Sequence, residues 1–424
     1  MTPRHFAVGA AVETVAVPMG TPLAGFAART SGSTGTLDPL TVRALALDEA
    51  SIVTVDVCGL HEDSCARIRS AVGGGGDVIV AATHTHAGPC VMPGRLGGSA
   101  DAVLAEIELA AVRAVDRARA ARRPSVARFA TTGGLGVARN RRHPDRSVDP
   151  PLTAVVFESV DGGEEIAWLL SYPCHPVVLD GANTLVSGDY VAALRQAVEA
   201  ASPRSIAVFC TGACGDLNTG HTAESSYAPG GNPLRSPGEA ARIGAVLGTA
   251  ALRARDGQTL GADGVPGRLV SVPIDVDLDV LDAESPAELA ARWRSERVTA
   301  EPARRALLDQ WIAWAEAPGA GLPGTWSGRV SALELGDLTL VALPGEPFHE
   351  TAEQIARAVS GTVVVVGYSD GCPGYFPTAD EYGAGGYEVI DAHRYYGMPA
   401  PMAKGSAERL VAAAVQAIGE ARTP

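Results

Sequence analysis

Short runs of apolar, β-branched residues alternate along the chain with longer segments whose apolar positions recur at helical spacing. The apolar runs predict strands at 51–57, 77–83, 125–132, 152–159, 166–173, 205–212, 339–345 and 362–368. The segments with helical spacing predict helices at 99–123, 189–201, 236–255 and 406–421, and a helical pair within 287–317. Strands that alternate with helices are typical of a layered α/β domain.

Two stretches of strict alternation indicate that the sheet is not purely parallel. RLVSVPIDVDLDV begins at Arg268 and GRVSALELGDLTLVAL begins at Gly328, and the helical pair lies between them. Such alternation is typical of antiparallel strands with one exposed face. We therefore predict an α/β fold, a layered α/β/α domain around a mixed β-sheet, with a helical insertion near 284–320. A single domain over 1–424 is the simplest interpretation, because no internal repeat or low-complexity linker divides the chain.

The composition is that of a globular protein, with 46% hydrophobic and 19% charged residues. The net charge of −14 argues against binding of nucleic acid or anionic lipid through a broad basic face. No apolar run approaches the roughly 18 residues of a membrane span, and Glu13 interrupts the apolar N-terminal segment, so we expect neither stable membrane insertion nor a signal peptide. The odd number of scattered cysteines favours reduced, buried thiols and a cytoplasmic protein.

The sequence AATHTHAGPC at 81–90 places His84 and His86 one residue apart, directly after a predicted strand. Side chains two positions apart on an extended chain point to the same side, and α/β sheets bind ligands at strand ends. The pair could therefore supply a metal ligand and a neighbouring acid or base. Two partly exposed loop histidines are the alternative interpretation.

Further candidates follow other predicted strands: His175 in SYPCHPVVLD, Glu346 in ALPGEPFHE, and Tyr375, Tyr382 and Tyr387 in GYSDGCPGYFPTADEYGAGGYE. Imidazole, carboxylate and phenol groups are suitable ligands for zinc. A zinc ion with three protein ligands and one open position acidifies bound water and polarises a carbonyl, which is the chemistry of a hydrolase. Sequence separation leaves open whether these residues converge, or are instead a packed histidine, a capping carboxylate and a structural loop.

Several motifs occur in a fixed order: ATHTHAGP, Asn140-Arg141, YPCHP, SGDY, CTGACGDLN, LPGEPF and GYFPTADEYGAGGYE. In this order they resemble the neutral/alkaline ceramidase family over nearly the whole chain. The opening GAAVETVAVPMGTPLAGF is similar to the first strand and Gly-aromatic turn of that family. The resemblance implies a zinc amidohydrolase. It identifies the ligands of Zn²⁺ as His84, His175, Glu346 and Tyr375.

The same resemblance implies roles for three catalytic residues. His86 is similar to the histidine beside the metal, Arg141 to an arginine that approaches the substrate, and Tyr387 to a tyrosine that polarises the scissile carbonyl. His86 would then accept or donate a proton, and Tyr387 would help to stabilise the oxyanion. Three aspartates are candidates to hydrogen-bond the histidine ligands, with a helix cap as the alternative for the second: Asp56, Asp189 and Asp216.

The chain departs from that family in three respects. We find no secretion signal and expect no C-terminal immunoglobulin-like domain, and the Asn-Arg motif continues as Arg142-His143-Pro144 where Ser-Pro is usual. The first two departures favour a small-molecule N-acyl amide substrate over ceramide. An ester or lactone hydrolase, an acyl-condensing enzyme and a non-catalytic binding protein of the same fold remain alternatives. The helical pair could cover the active-site mouth or form a homo-oligomer contact.

Overall fold

The computed structural model describes residues 5–27, 29–73, 77–95, 98–223, 234–260 and 268–423. The strands of these residues are β1 (Phe6–Val15), β2 (Gly35–Thr36), β3 (Leu40–Leu47), β4 (Ala50–Val55), β5 (Val78–Ala82), β6 (Arg123–Thr132), β7 (Arg139–Asn140), β8 (Leu152–Ser159), β9 (Glu165–Tyr172), β10 (Leu185–Val186), β11 (Ile206–Thr211), β12 (Leu217–Asn218), β13 (Gln258–Thr259), β14 (Leu269–Leu278), β15 (Gly324–Glu334), β16 (Leu338–Ala342), β17 (Glu346–Pro347), β18 (Thr362–Val366) and β19 (Tyr375–Phe376). The α-helices are α1 (Glu62–Ala71), α2 (Asp101–Ala120), α3 (Asp189–Ala201), α4 (Pro237–Ala251), α5 (Pro286–Arg297), α6 (Pro302–Glu316), α7 (His349–Ala358) and α8 (Ser406–Ala421).

The longer strands form two sheets, and both are mixed. The large sheet has the order β11-β9-β8-β6-β1-β3-β4-β5, with β13 also paired to β6. Its two end pairs, β11 with β9 and β4 with β5, are parallel, and the other pairs along this order are antiparallel. The second sheet has the order β14-β15-β16-β18. The alternating segments pair as the antiparallel strands β14 and β15, as their sequence pattern predicts.

The two sheets lie face to face and share a core of apolar side chains. Phe6, Ile52 and Phe157 of the large sheet belong to one buried cluster with Leu340 and Val366 of the small sheet. Helices α1 to α4 pack on the outer face of the large sheet, whereas α7 and α8 pack on the small one. The layered α/β class with a large mixed sheet is confirmed, and the layer between the helices is a double sheet.

Strands from both sheets end at one edge of the molecule. The amide of Ala82 donates to the carbonyl oxygen of Tyr368 at 3.1 Å, and the amide of Asp370 donates to that of Val80 at 2.7 Å. The segment after β18 therefore closes against the end of β5. At the same edge the short strands β17 and β19 pair in parallel and place Glu346 beside Tyr375.

The predicted helical insertion is the pair α5 and α6, between β14 and β15. Trp293, Trp311 and Trp314 surround the guanidinium of Arg394, whose central carbon lies 5.2 to 5.3 Å from each ring centre. Each contact is a cation–π interaction, and together they hold the insertion against the segment that precedes Tyr395.

Two further properties concern the cysteines and the helices of the described chain. All seven cysteines are buried and none of them forms a disulfide, as the sequence predicts. No α-helix in the described ranges combines the length and the apolarity needed to cross a membrane. The cytoplasmic location and the homo-oligomer stay predictions.

Candidate metal centre

Two histidines present the same ring nitrogen to one buried point. His84 follows β5 in a left-handed conformation, with φ of 65°, which an L-residue adopts only when its surroundings impose it. Its Nδ1 lies 2.5 Å from the carbonyl oxygen of Cys58, and Nδ1 of His175 lies 2.9 Å from that of Leu217. Because a carbonyl oxygen only accepts, Nδ1 carries the proton in both rings. The Nε2 atom of each neutral ring therefore keeps its lone pair.

The Glu346 carboxylate completes this group. Its Oε2 lies 3.3 Å from Nε2 of His84 and 3.0 Å from Nε2 of His175, and all three side chains are buried. Two lone pairs and a carboxylate oxygen would repel one another, so the arrangement requires a proton or a metal cation between them. The ligating atoms lie within 4.8 Å of one another. Two imidazoles and one carboxylate are a recurrent donor set of catalytic zinc sites, so these residues fit the predicted Zn²⁺.

The pKa values of His84, His175 and Glu346 describe the centre when a proton, and not a metal ion, lies between these side chains. Burial alone would raise the pKa of the Glu346 carboxyl, but His84 and His175 hold it well below its usual range. Burial opposes protonation of His84, yet the Glu346 carboxylate and Cys58 raise its pKa to about 10. Burial and the charge of Arg141 lower the pKa of His175 to about 4. The centre thus holds one carboxylate and one imidazolium, and a metal ion would displace that proton.

Tyrosines that the sequence analysis did not single out hold the carboxylate. The hydroxyl of Tyr396 donates to Oε1 of Glu346, and the hydroxyl of Tyr368 lies 3.5 Å from Oε2. The Tyr368 ring also stacks on His84, with ring centres 4.0 Å apart. Tyr375, the predicted fourth ligand, lies beside Glu346, but its hydroxyl accepts a hydrogen bond from Nη2 of Arg141 at 3.0 Å. Its role as a ligand stays a prediction.

His86 lies beside the same centre, where the sequence analysis expects a proton carrier. Its Nε2 is 3.2 Å from Nε2 of His84, and no described residue hydrogen-bonds its buried Nδ1. Burial and the charges of His84 and His175 keep its pKa well below the usual value, so the ring is neutral. A Cβ atom on Gly25 would lie 2.4 Å from the His86 ring, which explains the glycine of the Gly-aromatic turn.

Arg141 and Tyr387 both contact Tyr375, and the three residues form one side of the site, named the wall here. Arg141 donates from Nε to Glu388 at 2.8 Å and from Nη2 to the carbonyl oxygen of Gly215 at 2.8 Å. Burial opposes its charge, but Tyr375 and Glu388 raise its pKa well above the usual value. The Tyr387 ring packs on that of Tyr375, with ring centres 5.7 Å apart. Tyr387 is also the first residue of a π-helical turn, Tyr387–Asp391. Such turns are frequent at functional sites.

Arg142 and His143 follow the Asn-Arg motif where Ser-Pro is usual, and both form hydrogen bonds within this wall. Arg142 donates to Glu381 at 3.0 Å, to Glu388 at 2.6 Å and to the carbonyl oxygen of Gly385 at 2.7 Å. Nε2 of His143 lies 2.8 Å from Glu381. This part of the chain therefore anchors the segment that carries Tyr387.

The aspartate candidates do not hydrogen-bond the histidine ligands in the described contacts, and that expectation is wrong. Backbone carbonyl oxygens of Cys58 and Leu217 take the place of the expected carboxylates. The aspartates support the surrounding frame: Asp56 pairs with Arg195, Asp189 accepts from the amides of Leu179 and Tyr190, and Asp216 accepts from the amide of His349 and the side chain of Asn140.

A cavity of about 270 Å³ opens beside the centre. His86, Arg141, Tyr375 and Tyr387 line it, so the structure brings four of the predicted site residues to one space. Gln310 of α6 also lines the cavity, which means that the helical insertion contributes to the site.

The fold is shared with solved ceramidase structures. No family model matches the sequence, and no curated protein matches it either. The crystal structure of neutral ceramidase from Pseudomonas aeruginosa superposes with a TM-score of 0.73 and 18% identity, over 100% of this chain and 75% of that one. A ceramidase complexed with C2 superposes with a TM-score of 0.72 and 20% identity, over 99% and 76% of the two chains. The predicted resemblance is confirmed as a common fold.

Proposed function

We propose that this protein is a zinc-dependent amidohydrolase that cleaves an N-acyl amide of a small metabolite. The observation that carries the proposal is the convergence of His84, His175 and Glu346, with both imidazoles held in the tautomer that leaves Nε2 for a metal. The fold shared with ceramidases adds support, because ceramide itself is an N-acyl amide. When bound at such a centre, zinc acidifies water and polarises the carbonyl of the substrate.

The protein side chains around the centre have complementary tasks. Tyr396 holds the Glu346 carboxylate in its orientation, and we assign to His86 the transfer of the proton from water to the leaving amine. Burial raises the pKa of Tyr387 well above its usual value, so its hydroxyl stays protonated and can donate to the developing oxyanion. Arg141 positions Tyr375 through its hydroxyl group.

The size of the cavity favours a small substrate. Its volume of about 270 Å³ is below the range of roughly 300–1,000 Å³ that is usual for drug-sized ligands. Its lining includes polar groups, among them Asn218, His221 and Gln310. Both properties favour a polar metabolite over a lipid with two alkyl chains.

The test is product release from a panel of N-acyl amides, from short polar compounds to ceramide, followed by mass spectrometry with and without a chelator. We expect chelator-sensitive cleavage of short amides by protein that contains about one zinc per chain. Cleavage of ceramide in preference to short amides would overturn the small-substrate assignment. Zinc-loaded protein that cleaves esters or lactones, or condenses an acyl group with an amine, but cleaves no amide would overturn the amidase assignment.

A matched pair of histidine variants tests the metal centre itself. His84→Ala removes a proposed ligand, and we expect it to lose both zinc and turnover. His61→Ala, at the residue that caps the N-terminus of α1, is the control and should keep both. A His84→Ala protein that is free of zinc and fully active would contradict the proposal.

A further inference from the structure

The charged side chains that line the cavity are all cationic at neutral pH. Its described lining contains the arginines Arg29, Arg141 and Arg235 and contains neither aspartate nor glutamate. This is unusual in a chain whose net charge is −14. Arg141 forms an ion pair with Glu388, at 2.8 Å. The other two arginines require a separate explanation.

Arg29 donates its hydrogen bonds to backbone carbonyl oxygens. Its Nη1 donates to the carbonyl oxygens of Ala24 and His86, each at 2.8 Å, and its Nη2 donates to that of Asp180 at 3.1 Å. Its buried Nε has no hydrogen-bond partner among the described residues. Burial lowers its pKa to about 10, with the Asp180 carboxylate opposing this decrease and the charge of Arg235 adding to it, so the guanidinium remains charged at neutral pH.

Arg235 shows the same pattern of hydrogen bonding. Its Nη2 donates to the carbonyl oxygen of Val177 at 2.9 Å, and its buried Nε also lacks a partner in the described part of the chain. A buried donor without an acceptor is unfavourable, because it has lost its hydrogen bonds to water. Two such donors on two like-charged groups at one cavity indicate a site for an anion.

The aromatic ring of Phe26 connects these arginines to the reaction centre. Its ring centre lies 4.9 Å from the guanidinium carbon of Arg29 and 5.5 Å from that of Arg235. The same ring contacts His86 edge-on, with ring centres 5.1 Å apart. An anionic group bound by the arginines would therefore lie about one ring away from the proposed proton carrier.

We infer that the substrate is an amide that carries a carboxylate, and that this carboxylate binds Arg29 and Arg235 while the amide lies beside His86. Guanidinium groups suit carboxylates because their planar donors match the two oxygens. The inference rests on the proposed function, because it names the substrate class of the same site. The carboxylate lies on either the amine or the acyl part of the substrate, and the experiment distinguishes these two.

The experiment compares three amides of nearly equal size with the wild-type, zinc-loaded chain. N-butanoyl-propylamine is neutral, N-butanoyl-β-alanine carries the carboxylate on the amine side, and N-succinyl-propylamine carries it on the acyl side. We expect kcat/KM for one of the anionic amides to exceed that of the neutral amide at least about tenfold. Equal values within twofold for all three would overturn the inference and leave the amidase proposal intact.

A charge-removing variant locates the effect. Arg235→Gln keeps a donor for Val177 but removes the charge, and we expect it to reduce the ratio of anionic to neutral kcat/KM about tenfold, chiefly through KM. Arg204→Gln is the control, because Arg204 is 79% exposed and pairs with Glu164. An unchanged ratio in Arg235→Gln would overturn the assignment to this arginine.

Calorimetry separates this inference from the proposed function. If none of the three amides is cleaved, the amidase proposal fails for this substrate class, and their binding to the same protein decides the anion site. Binding of an anionic amide at least tenfold tighter than the neutral one would support the site. Equal binding of all three would overturn it.

Discussion

The proposed metal centre and the arginine pair of the neighbouring cavity are both built from buried ionisable groups, but they compensate charge differently. In the metal centre of His84, His175 and Glu346, named the floor here, the protonated nitrogens bond backbone carbonyls and the carboxylate faces both rings and Tyr396. In the arginine pair of Arg29 and Arg235 around Phe26, named the mouth here, each guanidinium retains a buried donor without a described partner. The floor is therefore prepared for a resident cation, whereas the mouth is prepared for an anion that arrives with the substrate.

The largest expected effect is in the floor. Glu346→Gln removes the only carboxylate of the described centre, so we expect loss of zinc and a fall in turnover of about 10³-fold or more. Inductively coupled plasma mass spectrometry measures the metal, and a circular-dichroism melt follows the fold. Glu350→Gln, on the exposed side of α7, is the control. A Glu346→Gln protein with full zinc content and full turnover would show that the floor is not the metal centre.

A second prediction concerns the frame that supports the floor. Burial raises the pKa of Asp189 to about 6 despite its hydrogen bonds from the amides of Leu179 and Tyr190. A carboxyl whose pKa is higher in the folded than in the unfolded state binds more protons when folded, so stability falls as pH rises from about 4 to 6. The decrease is up to about 3 kcal/mol.

Urea unfolding at several pH values measures this decrease. We expect the Asp189→Asn variant to lose that part of the pH dependence, because its side chain does not titrate. The same slope in both proteins would show that Asp189 does not control it.

Tyr396→Phe tests the hydrogen bond that orients Glu346 in the floor, because it removes the tyrosine hydroxyl and leaves the proposed ligand in place. Loss of the hydroxyl that holds Glu346 should weaken zinc binding by about 10- to 100-fold. Competition with a chromogenic chelator measures the affinity. Tyr382→Phe removes a hydroxyl that donates to Met402 instead, and its zinc affinity should match that of the wild type. Equal affinities in all three proteins would contradict the role of Tyr396.

The smallest expected effect lies in the wall that carries Tyr387. Arg142→Gln loosens the links to Glu381 and Glu388, so we expect kcat to fall several-fold, by less than about tenfold, with zinc content unchanged. Arg128→Gln breaks a comparable pair with Glu158 on the large sheet and should leave kcat unchanged. A loss of zinc in Arg142→Gln would mean that the ion pairs of the wall also stabilise the metal centre.

The sequence pattern predicted most of the long elements because their burial is periodic. Helices α3 and α8 have the predicted bounds, 189–201 and 406–421. The pattern did not predict α1 or α7, which are ten residues long and bury only a few side chains. Nor did it show the double sheet, since a strand buried on both faces has the same apolar pattern beneath a helix or beneath another sheet.

His84, His175 and Glu346 were candidate ligands in the sequence because each follows a predicted strand, carries a side chain suited to a metal and matches a motif of the resembled family. The groups that hydrogen-bond these candidate ligands could not be predicted from the sequence. The tautomers depend on carbonyl oxygens of Cys58 and Leu217, and any residue could supply these. The same reason explains why the three aspartates, although chemically suited, hydrogen-bond other parts of the frame.

By itself the sequence determined the alternation of strands and helices, the residue types suited to a metal, and their places after strand ends. These are local properties, because periodicity records which side of an element is buried. Only the tertiary structure decided that two sheets stack, that Tyr396 bonds Glu346 and that Arg29 and Arg235 share one cavity. Those contacts join residues that are distant in the chain, and packing of the whole fold selects them from many chemically equivalent partners.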